Sequence, residues 1–553
     1  MRNCLLALAA MVILMGNAAP VALQRGRDIH LDFGPASATE ATIHLRHGES
    51  AEIAVVQKGV DVVVRVVSPG AKLLDEVDSP NGRNGDEPVS IYAFVEGDYR
   101  LAIRAISPLE PTGSIDIQVR ELRTASQTAA MRRERAELRS QAAQWLRRDD
   151  APISALSALA GGTLEPFDSL AASARLIGLG EATHGSEELN DVRLALAQRL
   201  VERHGFRVIA IEDSVDQWRM LQPYIAGATA TPAGPTEWGW IGRRTRKALM
   251  EWARTWNLRH PADQVRIVGV DPQRNGPARN GLGPLIERAY GERVAKTWQE
   301  HRKELSDADE QTQVFGDSDV SSATRDFLQD LLARLTADAP ILKRRLGAAD
   351  YNRATDYGRE LSAFADFNSG SSPLAKSRDW YMASATLSAL DTMGPNAKGI
   401  YWAHNAHVST ASASLGTTGA VFRDALGCGY RAIATTFGKG GFLAQLPNDP
   451  TDRLHSNMVP APLEESIESV LSQVRSGAHF ASWQCGPKTD QPAWLADTHL
   501  MRWVGGIYAP DTAPSGSYRP YRLTDAFDAV AYIPIVRAEA DPGDQPVIAA
   551  RKH

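Results

Sequence analysis

The alternation of short apolar runs with long amphipathic segments after about residue 150 constrains the fold of this chain most strongly. Apolar runs separated by helical patterns are typical of a parallel sheet whose strands are connected by helices. The predicted strands are Arg175–Leu179, Arg207–Ile211, Val265–Val270, Gly399–Trp402, Arg431–Thr435 and Phe527–Ile533. A mostly helical stretch, about residues 284–392, separates the third strand from the fourth. We therefore expect an α/β domain with a mostly parallel sheet, flanking helices and a helical cap insertion.

The region from about residue 28 to 120 has a different pattern, in which apolar and polar residues alternate between Gly, Pro and Asn turns. Period-two alternation of this kind predicts a small N-terminal all-β sandwich. The segments around Asp61, Ser68 and Glu96 resemble the pre-peptidase type of bacterial β-sandwich, which implies an accessory module. A charged stretch without Gly or Pro, from Arg120 to Arg148, then predicts a linking helix.

The amino terminus is typical of a signal peptide. Arg2 precedes an apolar run from Leu5 to Met15, and small residues follow that run. The run is too short for a transmembrane anchor, and no later run approaches the roughly 20 apolar residues that a spanning helix needs. We therefore expect a periplasmic or secreted protein. The predicted segments are a signal peptide (1–24), a sandwich (25–121), a linker helix (122–149), an α/β domain (150–540) and a tail (541–553).

Composition narrows the function classes. Hydrophobic residues make up 43% of the 553 residues and charged residues 23%, values typical of soluble globular proteins. The net charge is −6, and the sequence has no basic stripe of the kind that nucleic-acid binders carry. The densest basic group, which includes Arg244 and Arg246, opens an amphipathic helix and is interpreted as a solvated face. Cys428 and Cys485 either pair in an oxidising compartment or remain isolated thiols. The oligomeric state stays open.

Ionisable residues follow four of the predicted strands directly. They are Glu181 and His184 after the first strand, Glu212 and Asp213 after the second, Asp271 after the third, and His404 and His407 after the fourth. Because ligands bind at the carboxyl ends of parallel strands, we expect these side chains to share a site. Ser186 is expected to cap the helix that follows the first strand. Arg193 lies on the second turn of that helix and is expected to reach back toward His184. Burying so many unpaired polar groups would be costly, which favours a functional interpretation.

These motifs resemble the erythromycin esterase family. The matching elements are Gly180-Glu-Ala-Thr-His-Gly185, Arg193, Glu212, Trp256-Asn257, Val268-Gly-Val-Asp271, Arg378-Asp379 with Met382, Trp402-Ala-His-Asn-Ala-His407, Met501-Arg502 with Tyr508, and the strand beginning at Phe527. The resemblance covers about residues 150–540. It implies a hydrolase of carboxylic esters, with lactones among the substrates and His184 as the general base. Glu181, Arg193, Glu212, His404 and His407 fall on the other positions that the family uses.

The predicted mechanism uses water as the attacking group, since the α/β region contains no Gly-x-Ser-x-Gly nucleophile motif. His184 would take the proton of that water, and Glu181 or Glu212 would orient the imidazole. Arg193 and one of the two histidines, His404 or His407, would stabilise the oxyanion. The residues predicted to bind substrate are Asp271, Trp402 and Arg378.

Two alternatives to this mechanism remain at the level of sequence. The histidines and carboxylates could ligate a divalent metal, although no dense ligand motif is present. The protein could also bind an envelope ligand without turnover. The leading prediction is an enzyme without a cofactor that acts on a small-molecule ester or lactone.

Overall fold

The computed structural model describes residues 20–539 apart from 36, 80, 154–158, 160–161, 163, 234–242, 312–319, 370–373, 412–415, 448, 450–452, 484, 487 and 511–513. Most of the predicted signal peptide and the whole predicted tail lie outside the described residues. No helix within the described residues is long and apolar enough to cross a membrane. The chain divides into two compact units, residues 1–139 with 510–518 and residues 140–509 with 519–553.

The first unit is the predicted all-β sandwich. Its strands are β1 (Val21–Ala22), β2 (Ile29–Phe33), β3 (Ala38–Leu45), β4 (Ser50–Lys58), β5 (Val62–Val67), β6 (Leu73–Val77), β7 (Asn84–Tyr92), β8 (Gly97–Ala105) and β9 (Gly113–Arg123). They form a sheet of order β1-β3-β8-β5-β6 and a second sheet of order β2-β9-β4-β7. Alternate residues such as Val62, Val64 and Val66 face a common apolar core, which is the origin of the period-two pattern.

The helix predicted between the two parts, α1 (Ala125–Leu146), begins five residues later than the charged stretch that predicts it. The preceding residues belong to β9, because Arg123 pairs with Ser50 of β4 and the strand continues to that point. Composition alone could not distinguish this strand end from the first turn of the helix.

The second unit contains the predicted mostly parallel sheet. Its strands are β10 (Asp150–Pro152), β11 (Leu176–Leu179), β12 (Phe206–Ser214), β13 (Arg266–Asp271), β14 (Lys398–Trp402), β15 (Tyr430–Gln445), β16 (Leu454–Val459), β17 (His479–Ser482) and β20 (Ala529–Val536). The order is β10-β17-β20-β15-β11-β14-β12-β13, and β16 pairs with the second half of β15. All six predicted strands are confirmed as parallel members. The antiparallel strands β10, β16 and β17 were not predicted. Two more short strands are β18 (His499–Arg502) and β19 (Tyr518–Tyr521).

Helices pack on this sheet and form the predicted cap. They are α2 (Glu165–Ser173), α3 (Glu187–His204), α4 (Val215–Ile225), α5 (Arg243–Arg259), α6 (Gly276–Tyr290), α7 (Glu292–Gln311), α8 (Ser322–Ala337), α9 (Ala339–Leu346), α10 (Ala348–Phe367), α11 (Leu374–Thr392), α12 (Asn405–Val408), α13 (Thr418–Leu426), α14 (Ile467–Val474), α15 (Ala493–Ala496) and α16 (Leu523–Ala526). Helices α6 to α11 lie between β13 and β14 in the chain. Leu282, Trp298, Leu328 and Phe364 belong to a separate apolar core in this insertion, so it packs as a helical layer of its own.

A buried carboxyl connects this helical layer to the helix after β12. Glu360 of α10 is fully buried, and its Oε2 lies 3.3 Å from Nη2 of Arg219 in α4. Burial raises the pKa of Glu360 well above its usual range, and the Asp216 carboxylate adds to this effect against the attraction of Arg219. The folded protein therefore holds this proton more tightly than the unfolded chain does, and stability falls as the pH rises above the unfolded pKa of Glu360.

Glu360→Gln is expected to stabilise the protein at pH 8, with the advantage disappearing toward pH 4. Each unit by which folding raises a carboxyl pKa costs about 1.4 kcal/mol at high pH, and an amide does not pay this cost. Denaturant unfolding at several pH values measures the difference. The matched control is Glu287→Gln, at an exposed position on α6, which should change the stability at pH 8 little because solvent screens the carboxylate. If Glu360→Gln is less stable than the wild type at pH 8, the ionised carboxylate of Glu360 does not destabilise the folded protein.

Cys428 and Cys485 form a disulfide with a Cα–Cα distance of 5.9 Å across 57 residues of chain. This decides between the two alternatives that the sequence leaves open. The bond joins the turn after α13 to the segment after β17.

Because the disulfide closes a long loop of the unfolded chain, Cys428→Ser with Cys485→Ser is expected to cost about 2–4 kcal/mol of stability. Thermal unfolding of the double variant measures this cost. Reductant should lower the Tm of the wild type and leave that of the double variant unchanged.

Candidate active site

The four strands that precede the predicted site residues are neighbours in the sheet, in the order β13-β12-β14-β11. They are parallel and in register at their ends, with Leu179 and Ile211 both opposite Trp402. Side chains that follow these strands therefore emerge along one edge. Packing is tight where β11 ends, because a Cβ on Gly180 would lie 2.2 Å from Oδ1 of Asn405. This explains why the turn into the site begins with glycine.

Glu181 and His184 form a hydrogen-bonded pair in the loop between β11 and α3. Nδ1 of His184 lies 2.8 Å from Oε1 of Glu181. A carboxylate can only accept, so Nδ1 carries the proton and the lone pair of the neutral ring lies on Nε2. Burial alone would raise the pKa of Glu181, but the Arg193 guanidinium and the His184 ring hold it below its usual range. Glu181 is thus the ionised partner of His184.

Arg193 reaches back from α3 to this loop, as predicted. Its Nη1 contacts Oε2 of Glu181 and lies 3.3 Å from Oδ1 of Asn190. The side chain is fully buried, and its Cζ lies 4.3 Å from the ring centroid of Trp402. Burial lowers the pKa of Arg193 to about 10, although Glu181 opposes this. Arg193 remains charged at neutral pH and supports the carboxylate of Glu181.

His404 is the second imidazole of the site, with its ring centroid 5.2 Å from that of His184. Its Nδ1 accepts a hydrogen bond of 3.2 Å from the backbone N–H of Ala406, so the ring proton lies on Nε2. Burial lowers the pKa of His404 to about 3, and the neighbouring His184 adds to this shift. Its Nε2 is buried and has no hydrogen-bond partner in the described part of the chain. His404 is therefore a neutral ring with a spare N–H donor.

Glu212 has other partners than the sequence suggests. Its Oε2 accepts a 2.7 Å hydrogen bond from the backbone N–H of His404, and its Oε1 lies 2.8 Å from Nη2 of Arg378. The carboxylate that bonds the ring of His184 is that of Glu181, which separates the two candidates for the orienting residue. Burial alone would raise the pKa of Glu212, but His407 and Arg378 hold it well below its usual range.

Arg378 and His407 lie among three carboxylates. Arg378 makes two hydrogen bonds to Asp271, of 3.0 and 2.7 Å, and Nδ1 of His407 lies 2.7 Å from Oδ1 of Asp379. Nε2 of His407 lies 3.2 Å from Oε1 of Glu212, although Nη1 of Arg378 is 2.9 Å from the same nitrogen. One guanidinium cannot balance three carboxylates, which favours the imidazolium. Burial alone would lower the pKa of His407, but Asp379 and Glu212 raise it to about 10.

Asp379 is a site residue to which the sequence analysis gave no role. Its Oδ1 also accepts hydrogen bonds from the backbone N–H and the hydroxyl of Thr418, at 2.9 and 2.6 Å. The only sequence signal was its place beside Arg378 in a family motif. The contact with Thr418 comes from α13, a helix that the sequence analysis did not predict.

A cavity of about 20 Å³, enough for a water molecule, opens beside the Glu181–His184 pair. It is lined by Glu181, His184, Asn190, Glu212, Thr245, Arg246, Trp402 and Ala403. The interpretation of Arg246 as part of a solvated helix face was wrong. Its side chain is only 17% exposed, and its Nε lies 2.9 Å from Oδ2 of Asp213. Helical periodicity could not reveal this, because the acidic partner comes from the end of β12.

The predicted capping role of Ser186 was also wrong. Its hydroxyl is buried without a hydrogen-bond partner among the described residues, and it does not cap α3. The backbone here pairs with the segment after β20, through a bridge to Ala538 and a 3.0 Å hydrogen bond from Glu187 N–H to Arg537. Glu187 and Glu188 remain as acidic residues in the first turn.

Nowhere in the described ranges do three His, Cys, Asp or Glu side chains converge in a group that could hold a metal ion. The residues around His407 instead bond to one another and to Arg378. The arrangement at the sheet edge is therefore a base-like imidazole with an ionised partner and a cavity beside it, next to a neutral imidazole with a spare donor.

Two characterised relatives resemble this chain over most of their own length. Erythromycin esterase type I of Escherichia coli is 24% identical over 401 residues, which are 67% of this chain and 92% of the relative. Erythromycin esterase type II of Escherichia coli is 23% identical over 342 residues, which are 56% of this chain and 80% of the relative.

Solved structures share the fold of the second unit. A Bacillus cereus protein has a TM-score of 0.58 and 19% identity, covering 72% of this chain and 98% of its own. An erythromycin esterase mutant in its open conformation has a TM-score of 0.51 and 20% identity, covering 70% and 98%. Residues 201–536, more than half of the chain, match the erythromycin esterase family profile. This chain therefore belongs to the erythromycin esterase family.

Proposed function

We propose that this protein hydrolyses carboxylic esters or lactones with a water molecule that His184 activates. The observation that carries the proposal is the pair of imidazoles at the sheet edge. His184 is bonded through Nδ1 to an ionised carboxylate, and His404 beside it has a spare N–H donor. Membership of the erythromycin esterase family supports a hydrolase of the ester or lactone type.

His184 serves as the general base in this proposal. The hydrogen bond from Nδ1 to Glu181 fixes the tautomer, so the lone pair of Nε2 can take a proton from water. When the ring becomes an imidazolium, the Glu181 carboxylate stabilises its charge. Arg193 holds Glu181 from the opposite oxygen, and we assign Arg193 this supporting role rather than a contact with substrate.

His404 serves as the oxyanion donor. As water adds to the carbonyl carbon, the carbonyl oxygen gains negative charge, and a fixed N–H donor stabilises that charge more than the ground state. A neutral imidazole suits this role, because its low pKa keeps the ring in a single charge state. Glu212 holds the backbone N–H of His404, and Arg378 and His407 hold Glu212 in turn. Asp271 holds Arg378.

The proposed reaction is a direct hydrolysis with no covalent enzyme intermediate. The water oxygen bonds to the acyl carbon while its proton moves to Nε2 of His184. The tetrahedral intermediate then expels the alcohol oxygen, which takes the proton from the imidazolium. The products are an acid and an alcohol, or a hydroxy acid when the substrate is a lactone. Trp402, in the cavity wall, is the residue that we propose to contact the substrate.

The test is a screen of the purified mature protein against simple esters and lactones, with and without a chelator. Turnover of at least one substrate at an unchanged rate in chelator is the expected result. Activity that dies with the chelator and returns with one metal would support the metal-dependent alternative instead. Saturable binding without product in every case would indicate a binding protein.

We further propose that the protein is exported to the periplasm or secreted. The amino-terminal sequence supports this, and so does the Cys428–Cys485 disulfide, since such bonds persist mainly in oxidising compartments. Mass spectrometry of the protein from fractionated cells provides the test. An uncleaved amino terminus in the cytoplasmic fraction would refute export.

A further inference from the structure

Asn190 lies in the first turns of α3 and lines the cavity beside His184. Its side chain is buried, with 2% exposure. Its Nδ2 donates a 3.1 Å hydrogen bond to the backbone carbonyl of His184, and its Oδ1 accepts one of 3.3 Å from Nη1 of Arg193. The orientation of the amide follows from its partners, because a guanidinium can only donate and a carbonyl can only accept.

These bonds complete a closed circuit of four residues. Asn190 bonds the backbone of His184, Glu181 bonds its ring, and Arg193 bonds both Asn190 and Glu181. His184 is therefore held at its carbonyl and at its Nδ1 by groups that Arg193 links together. Neither bond alone would determine both the backbone and the ring orientation of this residue.

We infer that Asn190 is a positioning residue that holds the backbone of His184 and the guanidinium of Arg193 so that Nε2 of His184 faces the cavity. The inference rests on the proposed function of His184 as the base. Asparagine suits the position because it is short, uncharged and able to donate and accept at once. Aspartate would lose the donor to the His184 carbonyl and would compete with Glu181 for Arg193. Alanine would leave both partners without the amide.

The test compares Asn190→Ala and Asn190→Asp by their rates across pH. Asn190→Ala should lower kcat about tenfold at an unchanged KM, since each lost hydrogen bond affects the geometry of the base and not the substrate. Asn190→Asp should also move the acidic limb of the kcat/KM profile upward by about one pH unit, because a carboxylate near His184 favours the imidazolium. The ¹⁵N shifts of His184 report its tautomer, which should stay a single Nδ1–H form in Asn190→Ala because Glu181 still bonds Nδ1, so that the lost rate reflects the orientation of the ring and not its tautomer.

The matched control is Asn257→Asp. Asn257 is equally buried and donates to the backbone carbonyls of Ile225 and Val265, away from the cavity. Asn257→Asp should lower the Tm without moving the acidic limb. Wild-type kinetics in both Asn190 variants would overturn the inference, and so would variants that no longer fold. If His184→Ala keeps its turnover, the proposed function fails. If His184→Ala is inactive but both Asn190 variants keep wild-type rates, only the positioning role of Asn190 fails.

Discussion

His184→Ala is expected to lower kcat about 10³-fold on any ester or lactone that the protein turns over, since a positioned general base contributes about 10²–10⁴ to a hydrolytic rate. The substitution removes the only ring that Glu181 orients through a hydrogen bond in the described structure. KM should change little, because the imidazole acts on water rather than on the substrate. Steady-state kinetics together with circular dichroism measure the two effects separately.

The matched control for this prediction is His455→Ala. His455 lies in β16 and pairs with Asp449, with its side chain 38% exposed. The control removes an imidazole and an ion pair of the same type but leaves the site intact, so its kcat should match that of the wild type. Undiminished turnover in folded His184→Ala would remove His184 as the base and leave the role open to another group.

The grouping of these residues at one sheet edge was predictable from sequence, because it depends only on where each parallel strand ends in the chain. Ionisable residues follow four of the six predicted apolar runs, and parallel strands bring such ends together whatever their order in the sheet. Glu181, His184, Glu212 and His404 meet for this reason. The reach of Arg193 followed from helical spacing alone.

The partners of these residues were not predictable in the same way. Whether Glu181 or Glu212 orients His184 depends on loop geometry between β11 and α3, which periodicity does not describe. Arg246 resembled a surface residue because its acidic partner, Asp213, lies on a different element. Asp379 gained its role through Thr418, at the start of a helix that the sequence did not predict. Pair contacts between distant elements depend on tertiary packing.

The same buried pairs give the second large effect, which concerns stability. Arg378→Leu is expected to lower the free energy of unfolding by about 3–5 kcal/mol, the cost of leaving buried charges without a partner. The carboxylates of Glu212, Asp271 and Asp379 would then face the single positive charge of His407. Denaturant unfolding at neutral pH measures the loss.

Two comparisons separate this electrostatic effect from simple truncation of an arginine. Arg334→Leu breaks an exposed pair with Asp330 and should change the unfolding free energy little, because solvent screens such pairs. Arg378→Leu combined with Asp271→Leu should cost clearly less than the sum of the single variants, since the second change removes a carboxylate that the first leaves unpaired. Additive losses, or a fully stable Arg378→Leu protein, would mean that Arg378 does not balance these carboxylates. The support that we assign to Glu212, and through it to His404, would then need another origin.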